Sequence, residues 1–257
     1  MNLDLAATRA LVTGGSRGIG RAIVESLAQE GCRVEFCARS ASRVADTEAE
    51  LAAAGLAVRG TAIDLAEANA AAGWAIEAVS RLGGLDILVA NASAMATGGS
   101  DDSWQQNYRV EIASLRELVS IVAPHLTDSA RRRGDAAVVV IGSTAALRAD
   151  KADAYGATKA ALVHTVKGLA TTLIGDGIRA NMVSPGPVFS RHGIWDRIRI
   201  EDPESFAVKI AQLPLGRMGT PHEIADVVVF LCSPRARYIV GSNIIVDGGR
   251  SDRPQFC

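Results

Sequence analysis

Tyr155 and Lys159 lie four residues apart in the stretch Ser143 to Lys159, S-T-A-A-L-R-A-D-K-A-D-A-Y-G-A-T-K. On a helix, residues at that spacing share a face, so the ammonium can reach the phenol. A phenol alone ionises near pH ~10 and is a poor base at neutrality. A fixed positive charge beside it favours the phenolate. Ser143 lies upstream, just past the apolar run Ala136–Ile141, which reads as a buried strand. Its hydroxyl can donate to a substrate oxygen while Tyr155 moves a proton to or from that oxygen. The set suits carbonyl reduction or alcohol oxidation, provided that something else carries the hydride. Taken alone, Y-x-x-x-K is most often a chance pair on a solvated helix, so the reading depends on what the rest of the chain builds.

The first such element is a glycine-rich turn. Thr8–Thr13 reads as a short strand, Gly14-Gly15-Ser16-Arg17-Gly18-Ile19-Gly20 follows, and Arg21–Gln29 carries Ile23, Val24 and Leu27 at helical spacing. Strand, glycine turn and helix place a pyrophosphate on a helix N-terminus, where unpaired amides and the dipole favour negative charge. The spacing is T-G-x-x-x-G-x-G, distinct from the general G-x-G-x-x-G. A second strand candidate, Gly31–Cys37, ends in Ala38-Arg39-Ser40. In dinucleotide folds an acid at that point binds the free ribose hydroxyls, whereas arginine accommodates a 2′-phosphate. Arg39, with Arg17 in the glycine loop, therefore predicts NADP(H) over NAD(H).

The remaining elements alternate. Ala41–Ala54 reads as helix, Leu56–Ile63 as strand ending at Asp64-Leu65, Ala66–Leu82 as helix, and Leu85–Val89 as strand followed by Ala90-Asn91-Ala92-Ser93. Asp102–Leu126 and Ala152–Ile174 read as long helices with more apolar surface than one sheet face needs, which predicts a subunit interface. Ile178–Val183 reads as strand, Pro221–Cys232 as helix with proline in its first turn, and Asn243–Val246 as strand. Alternation of this kind predicts an α/β, doubly wound parallel sheet with helices on both faces and ligand sites at the strand C-terminal ends. The glycine loop, Arg39, Asp64, Asn91 and Ser143 all follow strands. The mixed-charge stretch 189–215, with His192, Trp195 and Phe206, reads as an irregular substrate lid. No repeat, low-complexity tract or linker interrupts the chain, so one domain over 1–257 is the simplest organisation.

Composition narrows the function classes. The chain has 257 residues, 48% hydrophobic and 21% charged, with a net charge of −1, so no basic field points to nucleic acid or an anionic membrane. Arg131-Arg132-Arg133 reads as a solvated loop. Cys32, Cys37, Cys232 and Cys257 show neither a metal-binding spacing nor a disulfide framework, and Cys37 and Cys232 read as small core residues. The absence of a long apolar run and of a signal peptide at Met1-Asn2-Leu3-Asp4 predicts a cytoplasmic protein with no bound metal.

By these motifs, in this order and spacing, the chain resembles the short-chain dehydrogenase/reductase family over nearly its whole length. The carriers are T-G-G-S-R-G-I-G at Thr13–Gly20, D-L at Asp64, A-N-A-S at Ala90–Ser93, Ser143, Y-G-A-T-K at Tyr155–Lys159, I-R-A-N-M-V-S-P-G at Ile178–Gly186, G-R-M-G-T-P-H-E-I-A at Gly216–Ala225 and I-V-D-G-G at Ile245–Gly249. The resemblance, to the NADP-dependent, 3-oxoacyl-carrier-protein-reductase-like branch, implies a seven-stranded Rossmann-type sheet and hydride transfer between a ketone and a secondary alcohol. It implies Tyr155 as acid/base, Ser143 on the substrate oxygen and Lys159 on the nicotinamide ribose. Gly14, Ser16, Arg17, Gly18, Ile19 and Gly20 would cradle the phosphates, with Arg39 on the 2′-phosphate. Asp64 and Leu65 would sit near the adenine and Asn91 near its ribose. Pro185, Gly186, Val188 and Ser190 would line the nicotinamide end. A homodimer or homotetramer is implied as well.

The sequence departs from the family pattern twice. A-N-A-S replaces N-N-A-G, with Ala90 and Ser93 small enough to be tolerated. Glu111 occupies the position of a fourth catalytic asparagine that holds a water; glutamate there either holds water or pairs directly with Lys159, and Asn107 is a less suitable substitute. Turnover on a small-molecule carbonyl or alcohol is the expected outcome. The alternative is a dinucleotide-binding sensor or scaffold on the same fold. The substrate stays open among a 3-oxoacyl thioester, a polyketide-type ketone and a sugar-like alcohol. Arg191, Arg197 and Arg199 are candidates for a patch facing an acyl-carrier partner.

Overall fold

The computed structural model describes residues 2–148 and 153–252. Met1, Cys257 and the predicted helix start at Ala152 lie outside the described residues. Seven parallel strands form one sheet: β1 (Arg9–Thr13), β2 (Arg33–Ala38), β3 (Val58–Ala62), β4 (Ile87–Ala90), β5 (Ala136–Ile141), β6 (Ile178–Pro185) and β7 (Asn243–Val246). Their order is β3-β2-β1-β4-β5-β6-β7, the doubly wound arrangement that the alternation predicts. In-register pairs such as Val12 with Val89 and Val139 with Asn181 keep the strand ends level.

Each sheet face carries its own core, as expected for parallel strands buried on both sides. On one face, α1 (Gly18–Gln29), α2 (Ala41–Ala53) and α9 (Pro221–Cys232) bring Ile23, Leu27, Val44 and Val228 onto Val12 and Val139. On the other, α3 (Ala70–Leu82), α5 (Ser114–Arg133) and α6 (Ala154–Leu173) bring Trp74, Leu118 and Leu162 onto Leu88 and Val138. Cys32, Cys37 and Cys232 are free thiols buried in these layers.

Three sequence readings are corrected. Arg131–Arg133 do not form a loop: they are the last turn of α5, which runs seven residues past Leu126 before Gly134 closes it at φ +76°. Cations there are favoured by the helix dipole. The predicted single helix 102–126 begins instead as α4 (Asp101–Asn107), widens into a π-helical segment, Tyr108–Ala113, and continues as α5. The stretch 189–215 is not irregular: it contains α7 (Ile194–Glu201) and α8 (Pro203–Ala211), started by Asp202, whose carboxylate accepts from the Ser205 amide. A smaller shift sets the start of α3 at Ala70, because Asn69 is left-handed at φ +61°.

The N-terminal edge of the sheet is locked by ion pairs. Asp86, buried, accepts from the Arg9 amide, Nε and Nη2, each at 2.8 Å, and from the Ser129 hydroxyl. Burial would raise the Asp86 pKa, but the bonds from Arg9 and Ser129 outweigh it and hold the carboxyl below the ordinary carboxylate range. A carboxyl depressed in the fold contributes stability that is present above its unfolded value, near ~3.9, and is lost as pH falls through the folded value. Asp86→Ala strands a mostly buried guanidinium. It is expected to cost about 3–5 kcal/mol in urea unfolding at pH 7 and to flatten the acid limb of the stability–pH curve. A cost under ~0.5 kcal/mol, within the range of ordinary surface changes, would contradict this account.

Candidate active site

The reversal of strand order falls between β1 and β4, where loops leave in opposite directions and open a crevice. A cleft of about 1150 Å³ lies there along the strand C-terminal ends. Every residue predicted to touch substrate or cofactor lines it. The glycine loop contributes Gly14, Ser16, Arg17, Gly18, Ile19 and Gly20; β2 and β3 end in Arg39 and in Asp64 with Leu65. Asn91 follows β4 and Ser143 follows β5, Tyr155 and Lys159 come from α6, and Pro185, Gly186, Val188 and Ser190 follow β6.

Hydrogen bonds across the switch point fix the glycine loop. Thr13 Oγ1 accepts from the amides of Asn91 and Ala92 at 2.9 and 3.0 Å. The Asn91 amide group donates back to the carbonyls of Thr13 and Gly14 at 2.9 and 3.1 Å. The Asn91 side chain therefore holds the loop while lining the cleft. Gly14 adopts φ +70°, and a Cβ there would meet Asn91 Nδ2 at 2.8 Å; at Gly20 a Cβ would run into the Gly14 carbonyl. The N-cap residue of α1, Arg17, makes no capping bond, so the first-turn amides have no side-chain acceptor. A backbone cradle at an uncapped helix start fits a phosphate.

Three guanidinium groups gather beside it. Partial burial, and then the charges of Arg43 and Arg39, push Arg17 below the usual guanidinium range. A cluster of cations that repel one another is stabilised by an anion with several acceptor oxygens. Arg43 was not singled out from the sequence, although it lies one helical turn beyond Arg39. Its place in the first turn of α2, where Ser40 Oγ accepts from its amide at 3.4 Å, brings it to the same rim.

At the other end of the cleft, Ser143 Oγ accepts from the Ala145 amide at 3.1 Å, which leaves its hydrogen to donate elsewhere. Asp153 caps α6 by accepting from the Tyr155 amide at 2.9 Å, so the helix starts with Tyr155 in its first turn. One turn on, Lys159 is 2% exposed and its Nζ lies 5.6 Å from the centre of the Tyr155 ring. That ammonium donates to the Ile141 carbonyl at 2.9 Å and pairs with Glu111 Oε2 at 2.8 Å.

The two departures from the family pattern thus meet. Glu111 contacts Lys159 directly, and its other oxygen accepts from Ser93 Oγ at 2.6 Å. Ser93, predicted to be a tolerated small residue, is a hydrogen-bonding partner of the ion pair. Nothing in the sequence marked that pairing, because the two residues stand on different elements. Asn107 is excluded as a substitute: it is fully buried and binds the Ala96 backbone through both its oxygen and its nitrogen. The π-helical turn puts Glu111 on the inward face with Asn107, while Arg109 between them stays exposed; such turns occur frequently at functional sites.

The outer wall comes from α7. Asp196 accepts from the His192 amide at 2.8 Å and from Arg199, and these bonds, His192 first, hold its carboxyl below the usual range. Trp195 and Arg197 of the same turn line the cleft, whereas Arg191 and Arg199 do not. Among the described residues no cluster of His, Cys, Asp or Glu could hold a metal ion, and no helix is long and apolar enough to cross a membrane.

Several known proteins are similar to this chain over nearly its whole length. A family model described as enoyl-(acyl carrier protein) reductase matches residues 14–251. Isoepoxydon dehydrogenase of Penicillium expansum is 35% identical over 261 aligned positions, covering 100% of this chain and 99% of that protein. The rhamnolipids-biosynthesis 3-oxoacyl-(acyl-carrier-protein) reductase of Pseudomonas aeruginosa is 36% identical, covering 96% and 97%. The structure of L-sorbose reductase from Gluconobacter frateurii, complexed with NADPH and L-sorbose, superposes with a TM-score of 0.89 at 30% identity, covering 99% of this chain and 100% of that one.

Asn91→Ala leaves the Thr13 and Gly14 carbonyls without their side-chain donor. It is expected to cost about 1–3 kcal/mol in denaturant unfolding. An unchanged midpoint would show that the loop holds itself.

Proposed function

The chain belongs to the short-chain dehydrogenase/reductase family, and from that premise we propose an NADP(H)-dependent enzyme that interconverts a ketone and a secondary alcohol through Ser143, Tyr155 and Lys159. One observation carries the residue assignment. A serine hydroxyl after β5, and a tyrosine and a buried ammonium one turn apart on α6, converge on the cleft that also holds an uncapped helix start and the Arg17, Arg39 and Arg43 guanidinium groups.

The cradle fits a dinucleotide. Gly14, Ser16, Arg17, Gly18, Ile19 and Gly20 would hold the phosphates, Arg39 with Arg17 and Arg43 would take a 2′-phosphate, and Asp64 with Leu65 would border the adenine. Asn91 keeps the loop in place, and Pro185, Gly186, Val188 and Ser190 border the nicotinamide end. When bound, NADPH supplies the hydride. The residues do the rest. Ser143 donates a hydrogen bond to the carbonyl oxygen and orients it. Tyr155 gives its proton to that oxygen as the carbon is reduced, and Lys159, its charge partly offset by Glu111, stabilises the phenolate left behind. In the oxidative direction the same groups run in reverse, with Tyr155 as base.

The substrate end mixes apolar side chains, Met95, Val110 and Trp195, with polar ones, Gln106, His192 and Arg197. That mixture supports a small ketone bearing oxygen substituents. A long acyl chain is less well matched, and the outward placement of Arg191 and Arg199 gives an acyl-carrier patch little support. The two helices α7 and α8 act as the lid. We also infer a dimer or tetramer through α5 and α6, whose exposed side includes the small residues Ala157, Ala160 and Ala161.

A panel of ketoses, cyclic ketones and 3-oxoacyl thioesters, assayed by NADPH absorbance, tests the reading. Turnover on at least one ketone is expected, with Tyr155→Phe reducing kcat about 10²–10⁴-fold and leaving NADPH binding intact. Arg39→Ala is expected to weaken NADPH by tenfold or more through lost charge-assisted bonds while leaving NADH nearly unaffected. Tight NADPH binding without turnover on any substrate would favour the sensor alternative.

A further inference from the structure

The Glu111 carboxylate is the unusual charge of this site. It is 4% exposed, touches Lys159 Nζ at 2.8 Å, and is steadied by Ser93 Oγ at 2.6 Å. Ser93 is itself oriented, because its oxygen accepts from the Met95 amide at 3.1 Å. The pair is buried on both sides, so water screens it little.

We propose that Glu111 is a positioning residue whose negative charge partly offsets that of Lys159 and thereby shifts the preference of the site towards the oxidised over the reduced nicotinamide. The inference rests on the NADP(H) reading above. It follows from charge and from the chemistry of the reaction. The oxidised ring carries one positive charge and the reduced ring none. The ring must lie against the carbon that receives its hydride, and the oxygen on that carbon is the one Tyr155 protonates. The ring is therefore close to Tyr155, and Lys159 Nζ is 5.6 Å from the centre of that side chain. A bare ammonium there would repel the oxidised ring and leave the reduced one unaffected. An ammonium partly offset by Glu111 repels it less, so this site holds the oxidised cofactor better than the same site with a neutral residue at 111. Ser93 holds the carboxylate in contact with Lys159 and contributes no charge.

The test is a titration of purified full-length protein with NADPH and NADP⁺ separately, by fluorescence and by calorimetry, at one pH and ionic strength. The quantity read is the ratio of the dissociation constant for NADP⁺ to that for NADPH. Charges on the order of 10 Å apart, at an effective dielectric of ~20, change such a ratio by roughly tenfold. Glu111→Gln keeps the shape and removes the charge, and the ratio is expected to rise roughly tenfold, mainly through weaker NADP⁺. Glu111→Asp keeps the charge, and Ser93→Ala removes only the neutral donor; both are expected to stay within about threefold of the parent ratio. Glu111→Asn, with a shorter neutral side chain, replaces the glutamine variant if circular dichroism shows that the latter does not fold. A ratio unchanged in the neutral variants, or one that rises equally in Ser93→Ala, would overturn the proposal: the first means the carboxylate exerts no field on the ring, the second that packing is responsible. A parent protein that binds neither cofactor form would instead refute the NADP(H) reading on which the inference stands.

Discussion

A lysine ammonium sealed from water must be compensated by the protein or shed its proton. Lys159 meets that constraint with two acceptors from different layers, the carbonyl that ends β5 and the carboxylate of the π-helical turn. The rest of the site is arranged around the result. Tyr155 precedes it by one turn of α6, Ser143 leaves the same strand end that supplies the carbonyl, and Ser93 braces the carboxylate from the loop after β4. Moving any of these elements by a strand register would break the ammonium's compensation, so the chemistry and the packing of the sheet's C-terminal edge are coupled.

The sheet supplies the rigidity for that arrangement. Parallel strands with a core on each face cannot slide independently, and their ends stay level. The crevice at the switch point is a product of topology: the chain reverses its winding direction between β1 and β4, and no helix fills the gap. Thr13 and Asn91 then lace the two strand ends together with four hydrogen bonds. The glycine loop inherits its shape from this lacing. The α7–α8 wall has a different character. It is held by capping carboxylates, Asp196 and Asp202, and by ring contacts such as Phe189 against Phe206, 6.2 Å apart. Such attachments are weaker than a two-sided core.

Charge in the cleft is unevenly paired. Arg17, Arg39 and Arg43 gather at one end, where their mutual repulsion favours an anion. Beside Tyr155 the Lys159 ammonium is already paired with the Glu111 carboxylate.

Much of this was legible in the sequence. Apolar runs bounded by glycine and small polar residues marked all seven strands within a residue or two, because parallel strands buried on both faces need nearly continuous apolar character. The order strand, glycine turn, helix marked a loop that lines the cleft, and Y-x-x-x-K with an upstream serine marked further lining residues, because helical periodicity alone puts Tyr155 and Lys159 together. Local pattern was silent on three matters. It missed the π-helical turn and the extension of α5 to Arg133, where one widened turn and a glycine cap outweigh residue preference. It did not reveal α7 and α8, whose spans are short and of mixed charge. Most of all, Ser93 and Glu111 looked like separate departures from a pattern, one tolerated and one ambiguous. They are a hydrogen-bonded pair, brought together only when β4 and the helix after it pack against α6. Periodicity fixes which residues share an element; which elements share a charge is decided by the packing of one element on another.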